Sequence, residues 1–331
     1  MISEMSKHSR RLTKKRILII IFIFLLAVCT VLYKLADRYL IEHVEISNAL
    51  DTSAASDAAG QASQSVNTGS SGAAYDSESV SSSGNEWNYT SDSKTINIKK
   101  ITEGSGSDTV TYYVADIVLK DSSELKSAFA KNQFGSNIIE YTSEISEENN
   151  AILAINGDYY GFRDDGIVIR NGEIFRDIPA RTGLAFYENG TMTTYDETGT
   201  TAEELISQGV TQTLSFGPVL VKASSAVTDF GTTEIDTNFG NRSIQNSNPR
   251  TGVGVISANH YVFVVVDGRS KGYSKGMTLT EFAQLFESLG CTDAYNLDGG
   301  GSSTMYFNGE VINNPLGKNK ERGVSDILYI G

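Results

Sequence analysis

The chain has 331 residues, 40% of them hydrophobic, and a formal net charge of −13 from 27 Lys+Arg against 40 Asp+Glu. That length suits one large or two small domains, and the apolar share is enough for a packed core. The acidic balance argues against a nucleic-acid partner, which requires a basic face.

The N-terminus reverses that balance. Six cationic side chains between residues 7 and 16 precede an apolar and neutral run at 17–33, closed by Lys34. Residues 1–34 hold seven Lys/Arg and one acid, so the rest of the chain carries −19. We read 1–16 as a basic cytoplasmic tail and 17–33 as a single transmembrane anchor. The domain beyond it is then extracellular, on the cell membrane, touching the bilayer only through the anchor. A secretory signal peptide is the competing reading, but no small-x-small cleavage site is obvious. "YKLADRYLIEHVEI" continues instead as an amphipathic extension. Cys29 lies in the apolar run and Cys291 far beyond it, so they do not pair. An exported domain without disulfides suggests a bacterial envelope protein that relies on its core.

Residues 34–93 read as a juxtamembrane segment and a Ser/Ala/Gly-rich spacer that buries too little to order itself. Trp87 and Tyr89 near its end have the bulk to dock on a domain. The folded part is expected at 94–331. "TINIKKI" and "DTVTYYVADIVL" alternate as strands do. "SSELKSAFA" reads as a short serine-capped helix. "AILAIN" is a buried strand. "GIVIRNGEIF" and "TGLAFYENGTMTTY" each carry an Asn-Gly turn between short strands, the hairpin signal.

The last third changes pattern. "HYVFVVVDGR" is a strand leading to Asp267. "TLTEFAQLFESLG" is a helix with a Thr278/Glu281 capping box and a Gly290 stop. "CTDAYNLD" is a strand leading to Asp298. Strand, helix, strand makes the two strands parallel, so Asp267 and Asp298 should emerge at one sheet edge.

Asp298 opens "DGGGSS". Gly299, Gly300 and Gly301 allow a sharp turn and close ligand approach, and successive amides there could form an anion nest with Ser302 and Ser303. A glycine bulge in a hairpin is the alternative, since "TMYFNGEVI" resumes as strand, turn, strand. There is no lysine for a P-loop, no helix after the glycines for a dinucleotide site, and no Gly-x-Ser-x-Gly elbow. His260 is the one histidine of the domain, which leaves no imidazole or thiolate zinc set. A metal, if any, would be an oxygen-bound divalent cation such as Ca or Mg. The chemistry available is carboxylate, arginine, hydroxyl and backbone amide. Asp164 and Asp165 read as a solvated turn, and of Tyr159 and Tyr160 one belongs to the core.

Four elements carry a resemblance. "AINGDYYGF", "NPRTGVGV", the block from "VVVDGRSKG" to "YNLDGGGSS", and "ERGVSDILYI" together resemble the phosphodiester glycosidase family over about residues 140–331. Gly323 stands where the closing element often has proline. The resemblance implies an α+β domain of mixed twisted sheets with a few flanking helices. It also implies hydrolysis of a sugar-1-phosphate diester at the anomeric carbon, with no required cofactor, and the anchored, exported setting makes an envelope glycan the expected partner. Asp298, then Asp267, is the catalytic carboxylate it implies. Asn156, Asp158, Arg250, Arg322, Gly299–Gly301, Ser302 and Ser303 are the implied substrate-binding residues. A non-catalytic glycan-binding module and a metal-dependent phosphodiesterase attacking phosphorus are the rivals.

Overall fold

The computed structural model describes residues 19, 21–37, 40–50, 78–231, 233 and 244–331. The chain divides after residue 43 into two units. The first contains a helix at residues 21–37. No helix among the described residues is long and apolar enough to cross a membrane. Residues 1–18 and 20, with the basic tail and part of the expected anchor, lie outside the described residues, as do 51–77 of the expected spacer.

The second unit is built on two sheets. The larger has nine strands, in spatial order β15 (Ser225–Ala226), β14 (Val219–Lys222), β18 (Asp293–Asn296), β16 (Arg250–Ser257), β17 (His260–Val266), β5 (Val110–Leu119), β4 (Lys94–Glu103), β3 (Glu86–Thr90) and β2 (Ser79–Ser83). The smaller has five: β20 (Glu310–Val311), β19 (Met305–Phe307), β8 (Leu153–Asn156), β21 (Asp326–Ile330) and β6 (Leu125–Phe129). One core joins them. Ile96, Ile98, Tyr113, Val253, Phe263 and Tyr295 of the large sheet cluster with Leu153, Ile155, Met305, Leu328 and Ile330 of the small one. Smaller sheets pair β11 (Thr182–Tyr187) with β12 (Met192–Asp196) and β13 (Val210–Leu214), β9 (Gly166–Arg170) with β10 (Glu173–Ile178), and β1 (His43–Ser47) with β7 (Gln133–Ser136).

Three helices flank the sheets: α1 (Thr142–Glu148), α2 (Ala202–Ser207) and α3 (Leu279–Ser288). The capping box of α3 forms as its sequence predicts, with the Thr278 hydroxyl and the Glu281 carboxylate each accepting the other residue's N–H. Its apolar stripe buries Leu279, Phe282, Ala283 and Phe286 on the outer face of the large sheet, worth roughly 2 kcal/mol for each phenylalanine. The close approach needs glycine on β16. A Cβ at Gly252 or Gly254 would sit 2.9 or 2.8 Å from the Phe282 or Phe286 ring. The outer face of the small sheet takes Ile145 of α1. Sheets of mixed length with few, segregated helices make the fold α+β.

The Asn-Gly hairpins form where the pattern predicts them. β9 and β10 pair antiparallel across Asn171 and Gly172, both at positive φ. β11 pairs antiparallel with β12. Three expectations need correction. "SSELKSAFA" is a single 3₁₀ turn, Ser122–Glu124, capped by Asp121, and then strand β6. The segment is too short to hold a helix alone, and pairing with β21 satisfies its backbone instead. The large sheet reaches back to Ser79, inside the stretch read as spacer, because Tyr89 is buried on β3. Finally, β17 and β18 do run the same way but are not neighbours. β16 lies between them, antiparallel to both.

Candidate active site

That inserted strand shapes the site. β17 and β18 deliver Asp267 and Asp298 to one edge of the sheet, and β16 begins at the same edge with Arg250. The small sheet brings the end of β8, at Asn156, opposite the start of β21.

Asp298 is the carboxylate nearest solvent here, with a side chain 16% exposed. Its Oδ2 accepts from the Ser302 hydroxyl at 2.6 Å and from Arg322 Nη2 at 3.0 Å. Arg322 Nε also donates to Ser302 Oγ, at 3.1 Å, and its side chain is half exposed. Burial raises the Asp298 pKa above the ordinary carboxylate value, against the opposing pull of Arg322, Ser302, Arg163 and the Gly299 N–H. The carboxylate is therefore mostly buried, beside a half-exposed guanidinium.

The glycine run does not present the row of amides its sequence suggests. The Gly299 N–H turns to the Asp298 carboxylate. Gly300 N–H donates to Pro249 O, and Ser302 N–H to Gly299 O. The loop closes on itself and on the start of β16. What it needs the glycines for is proximity. A Cβ at Gly299 would lie 2.8 Å from Pro249 O, and one at Gly301 would lie 3.0 Å from Leu316 and 3.2 Å from Arg322 Cδ. Gly300 adopts φ +63°, and Arg269 Nη2 lies 3.3 Å from where its Cβ would be. Two guanidiniums are thus packed on adjacent glycines. Side-chain cations, more than amides, are what this loop offers an anion. The Ser303 hydroxyl is buried there with no hydrogen-bond partner.

Several predicted residues are spent on the protein. Asn156 has no exposed surface. Its Nδ2 donates to Asp298 O at 2.7 Å, and its Oδ1 accepts from the Thr251 hydroxyl at 2.7 Å and Thr304 N–H at 3.3 Å. It holds the catalytic candidate's backbone and has no exposed surface to offer a ligand. Asp158 accepts the N–H groups of Tyr159 and Ser215, and belongs to a buried group with Arg170 and Asp326. Burial pushes Asp326 up to about 6, against the pull of Arg170. Asp267 is 2% exposed, and its carboxylate accepts from Asn313 Nδ2, the Tyr273 hydroxyl and Asn314 N–H. It ties the exit of β17 to residues 313–314, which disfavours it as a nucleophile. Arg250 is buried and donates to the carbonyls of Met277, Ile244 and Asn246. Burial lowers its pKa to about 10, and it supports the edge from behind.

Arg163 and Arg269 were missed by the motif reading. Arg163 donates to Ser215 O, lies over the rings of Tyr159 and Phe216, and acts electrostatically on Asp298. Arg163 directly follows "GDYYGF" and Arg269 lies within "VVVDGRSKG", so position next to a strand exit was the available signal. Tyr160 is the core tyrosine, stacked on Phe134. Tyr159 is half-buried, its ring stacked on Phe162. Asp165 pairs with Arg181, and His260 with Asp116 at the opposite end of the sheet. Among the described residues no group of three or more His, Cys, Asp or Glu side chains is placed to hold a metal ion.

The phosphodiester glycosidase family profile matches residues 149–331, which contain every site residue named above. A SPbeta prophage-derived uncharacterized protein, YomE, of Bacillus subtilis (strain 168) is 33% identical over 244 residues. That match covers 67% of this chain and 36% of YomE, so the chain spans about a third of that relative's length. Among solved structures, the zebrafish N-acetylglucosamine-1-phosphodiester alpha-N-acetylglucosaminidase catalytic domain, auto-inhibited by its pro-peptide, superposes with a TM-score of 0.55 at 20% identity. The alignment covers 72% of this chain and 82% of that one. A hypothetical protein from Synechocystis gives 0.55 at 14% identity, over 72% and 62%. At these identities the two structures bear on the fold.

Proposed function

The chain belongs to the phosphodiester glycosidase family, and from that premise we propose that it hydrolyses a sugar-1-phosphate diester at the anomeric carbon–oxygen bond. The products are a free sugar and a phosphomonoester. The observation that carries this reading is the Asp298–Ser302–Arg322 arrangement, a carboxylate and a guanidinium sharing one hydroxyl at the mouth of the site. A phosphomonoester leaves without much help from a general acid. It needs cations that bind it more tightly as charge develops. Arg322 and Arg269 on the glycines supply them. Asp298, next to that phosphate site, is placed to stabilise the oxocarbenium-like sugar, attack it, or activate water. Asn156, Arg250 and Asp267 act as positioning residues through the backbone of the edge.

The substrate in this proposal is an envelope glycan, displayed to a domain that residues 17–33 tether to the outer membrane face. N-acetylglucosamine is the first sugar to test, since the zebrafish relative is named for it. The test incubates the full chain with alkyl N-acetylglucosamine-1-phosphates and UDP-N-acetylglucosamine in oxygen-18 water. Label in the free sugar supports the glycosidase. Label in the phosphate means attack at phosphorus and refutes it, and chelator sensitivity would then point to a bound cation. Saccharide binding without turnover across a panel of sugars would make the protein a glycan-binding module.

A further inference from the structure

Two loops extend from the rim of this site. Residues 268–276 hold Arg269, Lys271 and Lys275 and no acid. Residues 314–322 hold Lys318, Lys320, Arg322 and one acid, Glu321, whose carboxylate accepts from the N–H and hydroxyl of Ser143. The loops abut, since a Cβ at Gly317 would lie 2.7 Å from Ser270 Cβ. Both reach the glycine run, one through Arg269 at Gly300 and the other through Arg322 and Leu316 at Gly301. Their shapes are fixed. Arg269, Leu316 and Asn319 adopt φ of +57°, +56° and +50°, a conformation non-glycine residues keep only when packing demands it. Lys271, Lys318, Lys320 and Arg269 are exposed. In a chain of net charge −13, these two abutting loops carry six cations, of which Lys275 pairs with Glu281 and Arg322 with Asp298.

We propose that this rim is a second binding site, for successive phosphates of a polyanionic glycan chain, so that the protein acts on a phosphate-bearing polymer in preference to an isolated sugar phosphate diester. One phosphate seated against Arg322 and Arg269 uses up the glycine run. Lys271, Lys318 and Lys320 are exposed on the same two loops and exceed what one phosphate requires. Compact, hydrated ammonium groups on flexible stems suit phosphates whose spacing varies. Charges within about 8 Å of one another act together on a polyanion at physiological salt. The inference rests on the glycosidase reading for the nature of the chain, but its readout is binding and requires no turnover.

The test measures binding of the full protein to long-chain inorganic polyphosphate, inorganic phosphate and poly-glutamate across a salt series. Wild type should bind polyphosphate at least about tenfold more tightly than phosphate. The Lys271→Gln/Lys318→Gln/Lys320→Gln variant should lose that advantage and flatten the salt dependence by about two log units per log salt. A Lys120→Gln/Lys222→Gln control, at the opposite end of the large sheet, should keep both. Equal affinity of wild type and triple variant would overturn the proposal, as would a control that loses as much. Poly-glutamate bound as tightly as polyphosphate would overturn the assignment to phosphates.

Discussion

Replacing Asn156 with alanine separates the two roles open to its amide. If it contacts a sugar, the variant should raise KM and leave stability alone. The geometry supports the opposite outcome. Alanine strands the part-buried Asp298 carbonyl and the Thr251 hydroxyl and Thr304 N–H, whose residues have no exposed surface. A buried polar group left unpaired costs about 1–3 kcal/mol. The 3.3 Å contact to Thr304 counts least, and the threonine hydroxyl can rotate, so the total should be about 3 kcal/mol. Domains of this kind are stable by about 5–15 kcal/mol, so the variant should still fold. Urea unfolding with an unchanged m-value would read the loss. In kinetics the fall should be in kcat, because the Asp298 backbone loses its tether while no substrate contact disappears. Asn156→Asp keeps an acceptor for Thr251 but sets an anionic oxygen against Asp298 O, and should be at least as destabilising. A loss under about 1 kcal/mol together with a raised KM would refute the reasoning.

Asp298→Asn should lower kcat by about 10²–10⁴-fold with the fold intact by circular dichroism. Since burial holds Asp298 above the ordinary carboxylate range, wild-type kcat/KM should fall on the acid side at a pH above about 4. Gly299→Ala should cost about 1–3 kcal/mol in melting experiments and most of the activity, because its Cβ meets a backbone oxygen of the strand behind the site. Asp326 titrates near 6 when folded against about 3.9 unfolded. Its raised pKa stabilises the fold fully below about pH 4, and that contribution, about 3 kcal/mol, is lost as pH rises through 6. Asp326→Asn should remove that part of the pH slope in urea titrations at pH 4–7. An identical slope would contradict it.

The parts of the fold written in local sequence were legible. The capping box at Thr278 and Glu281 and the Asn-Gly turn at 171–172 are decided by residues within a few positions of one another. The shared edge for Asp267 and Asp298 followed from chain direction alone. What the strand–helix–strand pattern did not reveal was that β16, which forms a hairpin with β17 across residues 258–259, would also pair with β18 and so lie between them, because a crossover fixes direction and not adjacency. The site was legible in residue types and not in their roles. Arg250 and Arg322 look alike in a motif, yet one gives its donors to carbonyls and the other stands at the mouth. The three glycines suggested an open nest, but Pro249 takes one amide and Asp298 another. The β2–β3 hairpin was hidden by a serine-rich composition that Trp87 and Tyr89 outweigh once β4 offers an edge.

The position of β21 has a consequence for biosynthesis. It is the last strand in chain order, yet it lies inside the small sheet, between β6 and β8. Until it emerges from the ribosome, β6 and β8 each leave an edge open, and Arg170 waits in an apolar surrounding without its strongest partner, Asp326. The nascent chain is therefore committed to a long interval with exposed strand edges, the state in which mispairing with another chain is easiest. The core closes, and Asn156 gains its fixed place beneath Asp298, only when residues 326–330 slot between β8 and β6, strands made some 170 and 200 residues earlier.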